Sequence, residues 1–309
     1  MEHENSGLNI ISDHPSPTFI ALGDDDNDSV GPMNSPPEIN NFNFMLTNAR
    51  SLAPKLDSFI ENFNERNIDL SVVTETWLQA NHGLLQDGDV ALSLGEGIGA
   101  IHRGRPPGMR GGGVGIFYRR SKMKVVDVTP AALRDEIVAA LCSVRGVSRK
   151  VVCIGAYLTT ALDIDGAASF LERINDLIHL VKSKYNDPVI IVAGDWNQAE
   201  TDIAFSDFEG IQQVLSPPTR GDEVLDITFT NAPRSVQEVE VCPPLVPNSG
   251  RPGRPSDHNI LILTFNLPRK KKFKWLKYSY RKYTKEGDVA FGEWSVSYTH
   301  LTLPTIYSV

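Results

Sequence analysis

The sequence specifies an α/β protein: mixed, largely antiparallel sheets with helices outside them. Three observations carry that expectation. Short apolar runs recur along the chain, each closed by glycine or polar residues, at strand length rather than helix length. Two stretches, at 53–66 and around 170–181, instead place apolar residues at helical spacing. Acids, amides and a histidine stand repeatedly at or just past the end of an apolar run, most clearly in Val189-Ile190-Ile191-Val192-Ala193-Gly194-Asp195-Trp196-Asn197.

The 309 residues, 41% hydrophobic and 22% charged, suffice for one large globular domain with tails. No apolar run reaches the length of a membrane span, and the opening Met1-Glu2-His3-Glu4-Asn5 lacks a signal-peptide pattern. Cys142, Cys153 and Cys242 lie in or near strand-like stretches without metal-ligand spacing. They read as buried free thiols of a reducing, intracellular compartment. The net charge of −8 hides an asymmetry: −8 over residues 1–40 and +9 over residues 269–285 leave −9 for the rest. An acidic middle is unusual for a nucleic-acid binder, unless part of it is a cluster that a cation offsets.

Residues 1–40 are acidic, proline-bearing and without apolar periodicity, and are expected to be a disordered tail. A strand over Asn41–Thr47, with Phe42, Phe44 and Leu46 on one face, ends at Asn48. Leu52, Leu56, Phe59, Ile60 and Phe63 mark a helix over 53–66. A second strand, Ile68–Thr74, ends at Glu75. If these strands are parallel neighbours, Asn48 and Glu75 share an edge. Residues 80–113 read as a long glycine-rich loop. Four strands at hairpin spacing follow, at 114–118, 124–128, 136–144 and 150–157, the last capped by Tyr157.

The helix marked by Phe170, Leu171, Ile174, Leu177, Ile178 and Val181 leads into the 189–193 strand. A short helical stretch is expected at 205–214, a turn at Pro217-Pro218-Thr219-Arg220, and a strand carrying Asp226 at 224–230. A proline-rich loop runs to Ser256-Asp257-His258, which opens the strand 259–265. The domain, 41–268, closes near Leu267. Residues 269–294 form a basic linker, interleaving Lys and Arg with Phe273, Trp275, Tyr278, Tyr280 and Tyr283. That mixture suits nucleic-acid backbone neutralisation with base stacking, or a solvated linker. Residues 295–309 read as a non-native tail outside the fold.

Taken together, Thr47-Asn48-Ala49-Arg50-Ser51-Leu52, Thr74-Glu75-Thr76-Trp77-Leu78, Gly111-Gly112-Gly113-Val114, Gly194-Asp195-Trp196-Asn197, Pro218-Thr219-Arg220, Leu225-Asp226-Ile227-Thr228-Phe229-Thr230-Asn231 and Ser256-Asp257-His258 form an ordered set. The set resembles the endonuclease/exonuclease/phosphatase superfamily. More narrowly, it is similar to the apurinic-type endonuclease domain of non-LTR (LINE-like) retrotransposons, over roughly residues 42–267. Two positions depart from the pattern. Arg50 stands where the DNA-repair relatives place an aspartate, although the retrotransposon relatives often share this Asn-Ala-Arg pattern, and Tyr157-Leu158-Thr159-Thr160 replaces the Tyr-Arg-Pro-Pro of the retrotransposon group.

The resemblance implies a four-layer α-β-β-α sandwich, DNase I-like, and Mg²⁺-dependent (or Mn²⁺-dependent) phosphodiester hydrolysis that nicks DNA to leave 3′-hydroxyl and 5′-phosphate ends. It assigns Glu75, supported by Asn48, as metal ligand, with Asp257 holding metal-bound water or assisting the leaving group. Asp195 would orient and deprotonate water, and Asn197 would hold that water in line. His258 would donate to a non-bridging phosphate oxygen, with Asp226 accepting from its other ring nitrogen. Tyr157 would stabilise charge in the transition state, and Thr219, Arg220 and Ser256 would contact substrate. The implied partners are DNA, in the nucleus, and a downstream reverse transcriptase not encoded in these residues, as in a truncated element or incomplete gene model.

Blander readings remain for single residues: Asp195 as a helix N-cap, Asn48 as a turn residue, Glu75 as a surface acid, Tyr157 as an ordinary strand end, and His102 as structural rather than phosphate-binding. For the whole chain, the alternatives are a phosphomonoesterase or inositol-phosphate phosphatase of the same fold, and an inactive nucleic-acid-binding relic.

Overall fold

A computed structural model describes residues 19–23, 39–79, 86–87, 90–104, 111–133, 137–160, 162–197, 210–250, 252–270 and 273–277. In chain order the elements are β1 (Phe19–Gly23), β2 (Ile39–Asn48), α1 (Leu56–Glu65, entered through a 3₁₀ turn at Ala53–Lys55), β3 (Leu70–Thr74), β4 (Gln86–Asp87), β5 (Val90–Ala91), β6 (Ile98–Arg103), β7 (Val114–Arg119), β8 (Met123–Asp127), β9 (Ile137–Val144), β10 (Val151–Tyr157), α2 (Ile164–Lys184), β11 (Val189–Asp195), β12 (Gln212–Val214), β13 (Asp226–Thr230), β14 (Val236–Cys242), β15 (Ile260–Pro268) and β16 (Phe273–Lys277).

Within the unit Pro32–Lys270, two six-stranded mixed sheets form, ordered β14-β15-β2-β3-β7-β6 and β12-β13-β11-β10-β9-β8. Each contains one parallel pair, β2 with β3 and β10 with β11. The connection across each parallel pair holds a helix, as a crossover between parallel strands requires. The two sheets pack face to face. Phe44, Leu46, Val72 and Ile116 of one meet Val138, Cys153, Ile191 and Ala193 of the other in a single apolar layer. Outside the second sheet, Phe170, Ile174, Leu177 and Ile178 of α2 cover Ile154, Ile190 and Val192. Outside the first, Phe59 and Phe63 of α1 cover Met45, Val73 and Phe117. The order is therefore helix, sheet, sheet, helix. β11 is buried on both faces, which explains why its sequence is a continuous β-branched run rather than an alternation. Each fully buried phenylalanine contributes about 1.5–3 kcal/mol by leaving water.

Local chemistry sets the element ends. Asp163 caps α2 by accepting from the Gly166 N–H at 2.9 Å, and Lys182 and Lys184 complement its C-terminal dipole. Gly194 lies in register with Ala156 of β10, where a Cβ would collide with the Ala156 carbonyl. Glycine there lets the two strands approach just before Asp195. All three cysteines are buried and free. Among the described residues, no helix is long and apolar enough to cross a membrane.

Several segments differ from expectation. The 80–113 segment is not one loop: it holds β6, paired along its length with β7, and the short β4–β5 ladder. Gly97 and Gly99 mask the strand pattern there. At Gln212–Val214 the chain forms β12, an edge strand on β13, where a helical stretch was expected; residues 198–209 lie outside the described residues. The proline-rich region after Asn231 contains β14, whose Val-Gln-Glu-Val-Glu-Val alternation is that of an edge strand with one wet face. The acidic segment 1–40 includes β1 and the start of β2; most of it, like the 295–309 tail, lies outside the described residues. A separate unit pairs β1 antiparallel with β16, so part of the expected basic linker is a strand.

Candidate active site

One rim of the sandwich collects the side chains. β10, β11 and β13 bring Tyr157, Asp195 and Asp226 into one row, because Asp195 pairs in register with Tyr157 on one side and Asp226 on the other. β2 and the turn after β3 supply Asn48 and Glu75 from the facing sheet. Ser256, Asp257 and His258 arrive just before β15.

Asn48 joins the sheets. Its amide nitrogen donates to Glu75 Oε1 at 2.9 Å and to Asp195 Oδ2 at 2.7 Å, while its Oδ1 accepts from the Arg50 N–H at 2.9 Å. Every hydrogen-bonding position of the amide nitrogen is thereby filled, and its orientation is fixed. Glu75 adopts φ 46° and accepts from Trp77 Nε1 at 3.0 Å through its other oxygen.

His258 and Asp226 form the second buried group. Nδ1 lies 2.7 Å from Asp226 Oδ2, and Nε2 lies 4.0 Å from Asp195 Oδ2. Burial pulls the imidazole pKa down, but the Asp226 hydrogen bond and charge, reinforced by Asp195 and Asp257, raise it on balance. Burial, then the neighbouring Asp226 charge, push the Asp195 carboxyl up to about 7, against the opposing pull of His258 and the Asn48 amide.

Two carboxylates buried this close strain against each other unless a proton or a cation intervenes. Asp226 Oδ1 is buried with no hydrogen-bond partner. One ligand atom each of Asp195, Asp226 and His258 falls within 4.8 Å of the others. Glu75 adds a third carboxylate through Asn48. This oxygen-rich set with an unsatisfied buried acceptor fits a divalent cation.

The remaining expected residues are placed as follows. Asp257 Oδ2 receives Arg50 Nη1 at 2.9 Å and Arg220 Nη2 at 3.2 Å, so it is bound to guanidiniums and lies outside the tight Asp195–Asp226–His258 group. Asn197, at φ 45°, donates through its amide nitrogen to the Leu158 carbonyl at 2.6 Å, which anchors the turn behind Asp195. Ser256 Oγ donates to the Asn48 carbonyl at 2.6 Å. Thr219 is fully buried, with its hydroxyl accepting from the Asp226 N–H at 3.4 Å. Ser256 and Thr219 therefore hold the rim together rather than facing outward. His102 Nε2 lies 2.7 Å from Thr76 Oγ1, and burial, then Arg103, lower its pKa to about 4; it is a structural prop under the Glu75 turn.

Lys55 was not foreseen. It is 2% exposed, and Nζ donates to the carbonyls of Ala49, Arg50 and Ser51 at 2.9, 2.7 and 3.2 Å. That segment is stitched to the Glu75 turn by Ala49 N to Thr74 O, Ser51 N to Glu75 O and Leu52 N to Thr76 O. The signal was present: Lys55 falls on the apolar stripe of its helix, between Leu52 and Phe59.

The sequence matches the Endonuclease/Exonuclease/phosphatase family over residues 39–258, and the chain belongs to that family. No curated protein matches it in sequence. Solved structures share the fold at low identity. The endonuclease domain of TRAS1, a telomere-specific non-LTR retrotransposon, superposes with TM-score 0.55 at 14% identity, over 74% of this chain and 99% of that one. The AP endonuclease of Leishmania major does so with TM-score 0.55 at 12% identity, over 74% and 88%. A mannosyl-6-phosphatase of Bacteroides thetaiotaomicron gives TM-score 0.50 at 12% identity, over 72% and 98%.

Proposed function

We propose that this protein hydrolyses DNA phosphodiesters with a divalent cation, Mg²⁺ foremost, nicking one strand to leave 3′-hydroxyl and 5′-phosphate ends. The carrying observation is the convergence of Glu75, Asn48, Asp195, Asp226 and His258 at one rim from both sheets. Membership of a family of hydrolases, and the likeness to the endonuclease domain of a non-LTR retrotransposon, support the same reading.

When bound, the cation supplies charge neutralisation on the phosphoryl oxygens. Glu75, with Asp195 and Asp226, would hold it. Asp195, whose carboxyl is pushed upward by burial and then by the Asp226 charge, accepts the proton of the attacking water. His258, kept protonated by Asp226, donates through Nε2 to a non-bridging phosphate oxygen. Asn48 keeps Glu75 and Asp195 in fixed relation throughout. Tyr157, in register with Asp195, borders the reacting group. Such an activity belongs in the nucleus, within a retrotransposon protein that also uses a reverse transcriptase.

The test is conversion of supercoiled plasmid to open circles by the full chain with Mg²⁺. Nicking that is lost in Asp195→Ala and His258→Ala supports the reading. Absence of nicking by the unaltered protein, or nicking indifferent to both substitutions, overturns it.

A further inference from the structure

Arg50 and Arg220 come from distant parts of the chain and share one oxygen of Asp257, at 2.9 and 3.2 Å. Two guanidiniums on one carboxylate carry a net charge of one positive unit. Both arginine side chains stay open to solvent, at 54% and 45% exposure, and Asp257 is 32% exposed. Ion pairs this exposed add only about 0–1 kcal/mol to stability, so folding does not account for the arrangement.

The surrounding backbone is nevertheless arranged to hold it. Arg50 adopts φ 42°, a left-handed conformation unusual for a side-chain-bearing residue. It is fixed there by Lys55 Nζ on its carbonyl and Asn48 Oδ1 on its N–H. Arg220 sits in a tight turn closed by reciprocal backbone bonds with Glu223. That turn is joined to the His258 segment by the Asn259 N–H on the Thr219 carbonyl at 2.7 Å. The fork therefore stands immediately beside the proposed catalytic rim, one residue from His258 and two from Asn48.

We infer that Arg50 and Arg220, splayed on Asp257, form a second anion site that grips a backbone phosphate flanking the scissile one. Planar guanidiniums with spare N–H donors match phosphate oxygens, and a carboxylate between them sets their spacing before the ligand arrives. The site selects a polymer over an isolated phosphate ester, because its ligand must span both positions. The inference rests on the nuclease reading for the identity of its ligand.

The test is equilibrium binding of a fluorescently labelled 20-base-pair duplex to the full chain in EDTA, over 50–300 mM salt. Losing one phosphate contact is expected to reduce the slope of log affinity against log salt by about 0.9 in Arg50→Gln/Arg220→Gln, and to weaken binding about tenfold. Arg50→Lys/Arg220→Lys, which retains both charges, is expected to restore the slope. An unchanged slope in the glutamine pair, a lysine pair that behaves like the glutamine pair, or an unaltered protein that does not bind the duplex overturns the inference. A slope change without plasmid nicking by the unaltered protein upholds the anion site and sinks the nuclease reading; nicking without a slope change does the reverse.

Discussion

Replacing Lys55 by methionine isolates the part of the site that no motif advertises. Methionine preserves most of the apolar stem and removes the ammonium, leaving the carbonyls of Ala49, Arg50 and Ser51 without their shared donor. A buried acceptor left unpaired costs about 1–3 kcal/mol. The Ala49 bond is buried and the other two are partly so, so water can reach two of the three carbonyls. The expected loss is therefore about 2–4 kcal/mol in urea-unfolding free energy. The same carbonyls belong to the segment that carries Asn48 and is stitched to Glu75. Plasmid nicking should fall in kcat, because the carboxylates lose their spacing, and KM should rise, because Arg50 loses the anchor on its carbonyl. Restoring an ammonium by Lys55→Cys followed by aminoethylation should recover both properties. A Lys55→Met protein that loses less than about 0.5 kcal/mol and nicks normally would refute the reasoning.

Other perturbations follow from the same geometry. Asp226→Asn removes the negative charge that favours the His258 imidazolium; nicking is expected to drop about 10²–10⁴-fold with little change in plasmid affinity, and an undiminished rate would exclude His258 as a donor. Gly194→Ala forces a Cβ into the Ala156 carbonyl and should cost about 1–3 kcal/mol or more in chemical denaturation; a stability equal to the original would mean the strands separate easily there. His102 titrates at about 4 in the folded chain against an ordinary 6.5. A depressed folded pKa gives stability that is present above 6.5 and lost as pH falls through 4. For this partly exposed ring the loss is about 1–3 kcal/mol, and His102→Gln should flatten the decline; a parallel decline in the variant would place its origin elsewhere.

Residues that make strand ends were readable without coordinates. The β-branched run into Asp195, the alternation into Asn48 and the strand before Glu75 announced both elements and edges, and the parallel pairing of β2 with β3 brought Asn48 against Glu75 as expected. Asp226 and His258 likewise met, through Nδ1. What the sequence did not disclose depends on contacts with distant partners. β6 and β12 are short or glycine-bearing and exist because β7 and β13 offer unpaired edges. The hydroxyls of Thr219 and Ser256 turn inward to backbone atoms, a choice made by packing rather than by residue type. The attachment of Asp257 to Arg50 joins chain positions 207 residues apart, and its attachment to Arg220 bridges two separate loops, neither of which spacing alone reveals.

The most direct test of a shared cation site is anomalous diffraction from crystals of the protein grown with Mn²⁺. The account predicts one strong peak at the rim, within ligand distance of carboxylate oxygens from the group Glu75, Asp195 and Asp226. Mn²⁺ located elsewhere on the surface, or a rim without a peak at saturating metal, would contradict it.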